Sequence, residues 1–153
     1  MAGPSHRSEG ATTARNVDVN RRVIEAFNRA GLEEAAEYFA EDIEVYDPDL
    51  PGELRGRDAV VETFGELLGA FDTWTVRRIE MYPTGDRIVS LIHSVGRGEG
   101  RLGEVDVEMH DAHVTTFRDG LVTYWRLYSN PREAFEDVGL DPDDPGEPYP
   151  SPG

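Results

Sequence analysis

At 153 residues the chain holds one domain's worth of material, enough to bury a single substantial core. Its 38% hydrophobic content, with two Trp, six Tyr and six Phe, excludes a wholly disordered polymer. A formal net charge of -16, with arginine in place of every lysine, sets aside nucleic acid and anionic membranes as partners, because both demand a basic surface.

The absence of cysteine rules out disulfides, a thiolate nucleophile and Cys-ligated metal. No apolar run approaches the roughly 20 residues of a membrane span. Residues Met1 to Arg15 lack an apolar h-region, so no secretory signal is expected and the expected location is cytoplasmic.

Residues 1–16 lack periodicity and read as a flexible arm. Asn16 or Asp18 then caps a helix whose apolar residues Val19, Val23, Ile24 and Phe27 fall at helical spacing, and Gly31 ends it. Leu32, Ala35, Ala36 and Phe39 mark a second short helix, followed by a strand over Ile43–Asp47. Pro48, Pro51 and Gly52 predict a loop, and a third helix runs from about Asp58 to Leu68. Beyond Thr73 the apolar period falls from 3.6 to 2. Strands are expected at Trp74–Tyr82, Arg87–Val95, Glu104–Arg118 and Leu121–Tyr128, with breaks at Pro83–Asp86, Gly96–Gly103 and Asp119-Gly120. A closing helix over Pro131–Val138 stops at Gly139. The five-proline stretch 141–153 reads as an acidic, solvated tail, leaving 17–140 as the domain.

Three stretches carry a family resemblance. EAFNRAGLEEAAEYFAEDIEVYDPDLPGELRGRDAV (Glu25–Val60), AHVTTFRDGLVTYWRLYSNPREAFEDVGL (Ala112–Leu140), and the Gly56-Arg57-Asp58 helix start at its spacing from Asp47-Pro48 resemble the nuclear-transport-factor-2-like superfamily. Within it the chain is most similar to SnoaL-like proteins, a group that includes polyketide cyclases. The resemblance covers about residues 17–140. It implies an α+β cone fold: a curved antiparallel sheet with three N-terminal helices around a single pocket for a small apolar or cyclic organic ligand.

Asp47 is the first candidate for chemistry. It shares a strand face with Ile43 and Val45, and a carboxylate in an apolar wall makes a useful general base. It also resembles the catalytic base of the ketosteroid isomerases in its Asp-Pro context, although Asp before Pro is also ordinary turn chemistry. His113 is the second, on a face shared with Val105, Val107, Met109, Asp111, Thr115 and Phe117. By position it resembles the isomerases' acidic donor to the substrate oxygen, and an imidazole keeps a donor there. His93 is expected to line the same pocket and Asp111 to orient a histidine. His110 points the other way, with Glu108 and Asp106. Tyr38, Phe39, Phe64, Trp74, Met109 and Trp125 would supply the walls.

The positions of the isomerases' supporting tyrosines fall near Ile24, Phe39 and Phe64, all apolar, which removes steroid isomerisation as the specific activity. No HxH or HExxH pair puts metal ligands on one element, so no metal and no cofactor is expected. The reading that results is a cofactor-independent cyclase, isomerase or hydratase acting on a polyketide-like or other cyclic carbonyl compound. Its alternative is a non-catalytic binding or assembly domain. A homodimer is expected through the exposed sheet face, with Val114, Val122, Tyr124 and Tyr128 as its apolar patch.

Overall fold

The computed structural model describes residues 3–50, 52–100 and 103–150. Helix α1 spans Gly3–Ala30, starting well before the expected cap at Asn16 or Asp18. Ala11, Ala14 and Arg15 are good helix formers with no proline among them, so the helix extends backwards through the segment expected as an arm. Its buried stripe is Asn16, Val17, Val19, Asn20 and Ala26, and Gly31 stops it at φ 94°.

Helix α2 is a single turn, Leu32–Ala35, continued by a 3-10 turn over Ala36–Tyr38. Strand β1 (Phe39–Tyr46) therefore takes Phe39, which the sequence pattern gave to the helix. A short strand β2 (Glu53–Arg55) forms within the expected loop and pairs antiparallel with β1. Helix α3 is Arg57–Leu68. The remaining strands are β3 (Thr73–Thr84), β4 (Arg87–Gly100), β5 (Gly103–Arg118) and β6 (Leu121–Tyr128). Strand β4 runs through most of the expected Gly96–Gly103 break; Arg101 and Leu102 lie outside the described residues. The β5–β6 turn is as expected: Asp119 and Gly120 both have positive φ, 54° and 80°, the conformation that matches strand twist in a two-residue hairpin.

Helix α4 (Pro131–Asp137) closes the domain. Asn130 caps it by accepting a hydrogen bond from the Arg132 amide, with Pro131 in the first turn where no N–H is needed.

The six strands form one curved, open sheet in the order β2-β1-β6-β5-β4-β3. It is mixed, not wholly antiparallel as expected, because β1 runs parallel to β6. Both faces are covered. Ile43, Val45, Met81, Ile88 and Phe117 pack against Val17 and Val19 of α1 and Val60 and Phe64 of α3. On the outward face Val89, Ala112 and Val114 lie under Ala134, Phe135 and Val138 of α4. Burial of the Val, Ile, Met and Phe side chains among them, each worth about 1.5–3 kcal/mol, holds the layers together.

The tail departs from its expected freedom. Asp143 pairs with Arg132 at 2.8 Å, and the Tyr149 amide donates to the Met81 carbonyl at 2.7 Å, along the outer edge of β3. Residues 151–153 lie outside the described residues.

Candidate functional site

The concave face is set by register. His113 on β5 pairs with Ser90 on β4 and with Leu127 on β6, and Trp125 pairs with Val45 of β1. Period-two alternation then puts Asp111, His113 and Thr115 on the face that looks toward α1 and α3.

His113 and Asp111 are the polar centre of this face. The His113 Nε2 lies 3.5 Å from Asp111 Oδ2, and their side chains are only 17% and 15% exposed. The imidazole also sits 5.4 Å, centroid to centroid, from the Trp125 indole. Phe64 and Phe39 pack on the same indole at 5.3 and 6.2 Å. The other oxygen of Asp111, Oδ1, is buried with no hydrogen-bond partner; among the described residues one other buried side-chain atom, Arg126 Nε, shares that condition. Leaving a buried carboxylate oxygen unpaired is expensive, and such groups concentrate where a ligand or a reaction uses them.

Asp47 follows directly after β1, outside the strand. The preceding residue, Tyr46, is the last of β1 to pair with β6, opposite Arg126, and His113 pairs with Leu127 on the far side of β6. Its Oδ1 accepts the Asp49 amide at 2.9 Å, and its carbonyl accepts the Leu50 amide. This is an Asx turn of the kind Asp commonly forms before Pro.

The other expected wall residues separate. Phe39 and Phe64 come together on Trp125, which itself meets His113. Trp74 packs edge-on to Phe71 at 5.1 Å, over Gly96 near the far end of β4. Met109 is 37% exposed. Tyr38 rests on the margin of the core and lines a polar surface groove along α1 with Asp18, Arg22 and Arg29.

His93 does not join the concave face. It pairs with His110, three residues along β4 from Ser90, and therefore points outward with Leu91. Its expected placement fails for a physical reason: β4 is covered on both faces, and the face turned to α4 carries Val89 and Leu91 while the concave face carries Ser90 and Ser94, so apolar alternation does not mark the concave side. The expected outward patch is corrected on similar grounds. Val114 is buried beneath α4, and Val122 turns into the concave-face core at a register shift between Thr116 and Phe117.

Buried polar residues on the concave side were not singled out from sequence. Asn20 of α1 donates to Ser90 Oγ at 3.0 Å and lies 3.3 Å from Met81 Sδ, so the helix is tied to the sheet beside His113. Ser94 and Thr115 are also buried. Their signal was small polar residues at positions where a period-two strand faces the core.

Comparison with known proteins agrees with this architecture. The sequence profile of the SnoaL-like domain matches residues 20–125, and the chain belongs to that family. Among solved structures it is similar to a nuclear-transport-factor-2-like protein of unknown function from Burkholderia pseudomallei, with TM-score 0.66, 21% identity, and coverage of 82% of this chain and 98% of that one. It is also similar to a proposed SnoaL-like polyketide cyclase from Jannaschia sp. CCS1, with TM-score 0.66, 18% identity, and coverage of 76% and 85%. A phenazine biosynthesis-related protein from Pseudomonas aeruginosa matches with TM-score 0.68 and 18% identity over 97% of this chain and 96% of that one. No curated protein matches in sequence. Among the described residues no helix is long and apolar enough to cross a membrane.

Proposed function

We propose that this SnoaL-like chain is a small-molecule enzyme performing cofactor-independent acid–base chemistry on a polyketide-like or other cyclic carbonyl compound. One observation carries the reading: the His113–Asp111 pair, half-sheltered on the concave face against Trp125, with a carboxylate oxygen buried and unpaired. Asp111 faces the His113 Nε2 and orients the imidazole. In its doubly protonated form His113 keeps one N–H on Asp111 and donates the other, at Nδ1, to the substrate carbonyl oxygen as negative charge develops there. Asp47, just beyond the end of β1, takes the proton alpha to that carbonyl through its second oxygen. The proton returns at another carbon in an isomerisation; in a cyclisation the enolate carbon attacks a second carbonyl, whose C=O π bond opens to an alkoxide that takes the proton back from Asp47. Neither course changes the oxidation state overall, so the chemistry needs no redox partner.

A screen of cyclic 1,3-diketones and hydroxyaromatic ketones for alpha-proton exchange in deuterated water tests this reading. Exchange should be detectable with the native chain and fall about 100-fold or more in Asp47→Asn and in His113→Ala. Exchange that is unchanged in both folded variants overturns the assignment.

The Asx turn at Asp47 favours a second reading, a non-catalytic binding domain in which that carboxylate serves the backbone. Ligand binding that survives both substitutions, with no exchange in the native chain, selects it. Either reading is compatible with a homodimer through the outward face. There Arg126 lies over the Tyr46 and Tyr128 rings at 4.5 and 5.0 Å and supplies a flat aromatic surface. A monomer in sedimentation at micromolar concentration would remove the dimer from the proposal.

A further inference from the structure

The β4–β5 register brings together three side chains that the proposed reaction does not use. His93 and His110 are a direct cross-strand pair on the outward face, their rings stacked at 4.2 Å with an interplanar angle of 3°. Glu108 is two residues before His110 on β5, hence on the same face. Its carboxylate contacts the His93 Nε2, and the same oxygen lies 3.6 Å from the His110 Nε2. One donor atom from each of the three residues lies within 4.8 Å of the others.

We propose that His93, His110 and Glu108 form a binding site for a divalent transition-metal ion of the zinc class, on the opposite side of the sheet from His113. The chemistry of the donors selects the ion. Two imidazoles and a carboxylate suit zinc, nickel or copper, whereas magnesium and calcium prefer all-oxygen sites. The geometry needs little change. Metal–ligand bonds of about 2 Å require donors slightly over 3 Å apart, a distance reached by side-chain rotation on a fixed hairpin. His93 is 27% exposed, and His110 and Glu108 are 69% and 61% exposed, so an ion has open access and keeps positions for water or a further ligand. The site lies just beyond the cover of α4, one outward pair past Leu91 and Ala112. An ion there ties β4 to β5.

The competing explanation is a simple surface ion pair in which Glu108 accepts from His93. The strong negative charge of the chain also attracts cations without any site, so the test must separate imidazole ligation from general attraction. Metal-free full-length protein is titrated with Zn2+ by calorimetry in physiological salt and excess Mg2+, and its thermal unfolding is followed with and without Zn2+. The expected result is saturable one-to-one binding and a higher Tm with Zn2+. His93→Ala and His110→Ala each weaken binding about tenfold or more and abolish the Tm shift, since an inner ligand matters at least as much as the outer partners that cost that much. His6→Ala changes neither readout. Two results overturn the proposal: no saturable Zn2+ binding over Mg2+, or saturable binding that both histidine substitutions leave intact.

Discussion

Asp111 turns one carboxylate oxygen to the His113 imidazole, at 3.5 Å, and buries the other without a partner. A group held this way costs stability and is retained where activity needs it. Asp111→Asn should therefore leave stability equal or higher by about 0.5–1 kcal/mol while lowering turnover. Chemical denaturation beside the exchange assay checks both halves. A loss above about 2 kcal/mol would show that the carboxylate is structural.

Asn20 reaches from α1 to Ser90 on the sheet, and both are buried. Asn20→Ala leaves the Ser90 hydroxyl unpaired and should destabilise the domain by about 1–3 kcal/mol. The denaturation midpoint should fall with the slope unchanged. Ser90→Ala alone should produce a loss of the same order, and the double variant should lose less than the sum.

Gly96 is needed for space, not for backbone freedom. A Cβ there would sit on the six-membered ring of Trp74 and only 3.2 Å from Phe71 Cδ1. Gly96→Ala should cost about 1–3 kcal/mol through overpacking. Trp74→Leu should relieve part of that cost in the double variant, a non-additivity that unfolding curves measure directly.

Tyr128 is pushed to a higher pKa, first by burial and then by its hydrogen bond to Asp137 at 2.7 Å. The folded state thus holds this phenolic proton more tightly than the unfolded chain, whose tyrosines titrate near about 10. Its contribution is fully present below that pH and is lost as pH rises beyond it. In an alkaline titration of tyrosinate absorbance Tyr128 should ionise late, together with the buried Tyr82, whose pKa is raised first by burial and then by Glu80. Tyr128→Phe should flatten the alkaline loss of stability and cost about 1 kcal/mol at neutral pH.

Local pattern made much of this molecule legible. The two-residue turn at Asp119-Gly120, the closing helix from Pro131 and the shared face of Asp111 and His113 all follow from spacing within one element or hairpin. What escaped depends on contacts between distant segments. Apolar alternation along β4 puts Val89 and Leu91 on the face of His93, yet that face turns to α4, and only the packing of α1 and α4 decides where His93 looks. The Asn20–Ser90 bond spans residues on separate elements, so neither announces the other. The His93–His110 pair is separated by a full strand-to-strand return, a distance at which no ligand spacing rule applies. Asp143 and Tyr149 fall in a proline-rich tail whose composition reads as solvated, yet Arg132 and the bare edge of β3 give it places to attach.

The parallel partnership of β1 with β6 has a consequence for how the chain is made. Glu44, Val45 and Tyr46 have β2 on one side, but their neighbours on the other side are Tyr124, Trp125 and Arg126, some eighty positions downstream. During synthesis at the ribosome the first strand must wait for its parallel partner until β6 has emerged. The hairpins from β3 to β6 can zip up in order, each against its predecessor. The last of them then supplies the ledge on which the oldest segment finally settles, so slow closure and dependence on an intact C-terminal third are built into the topology.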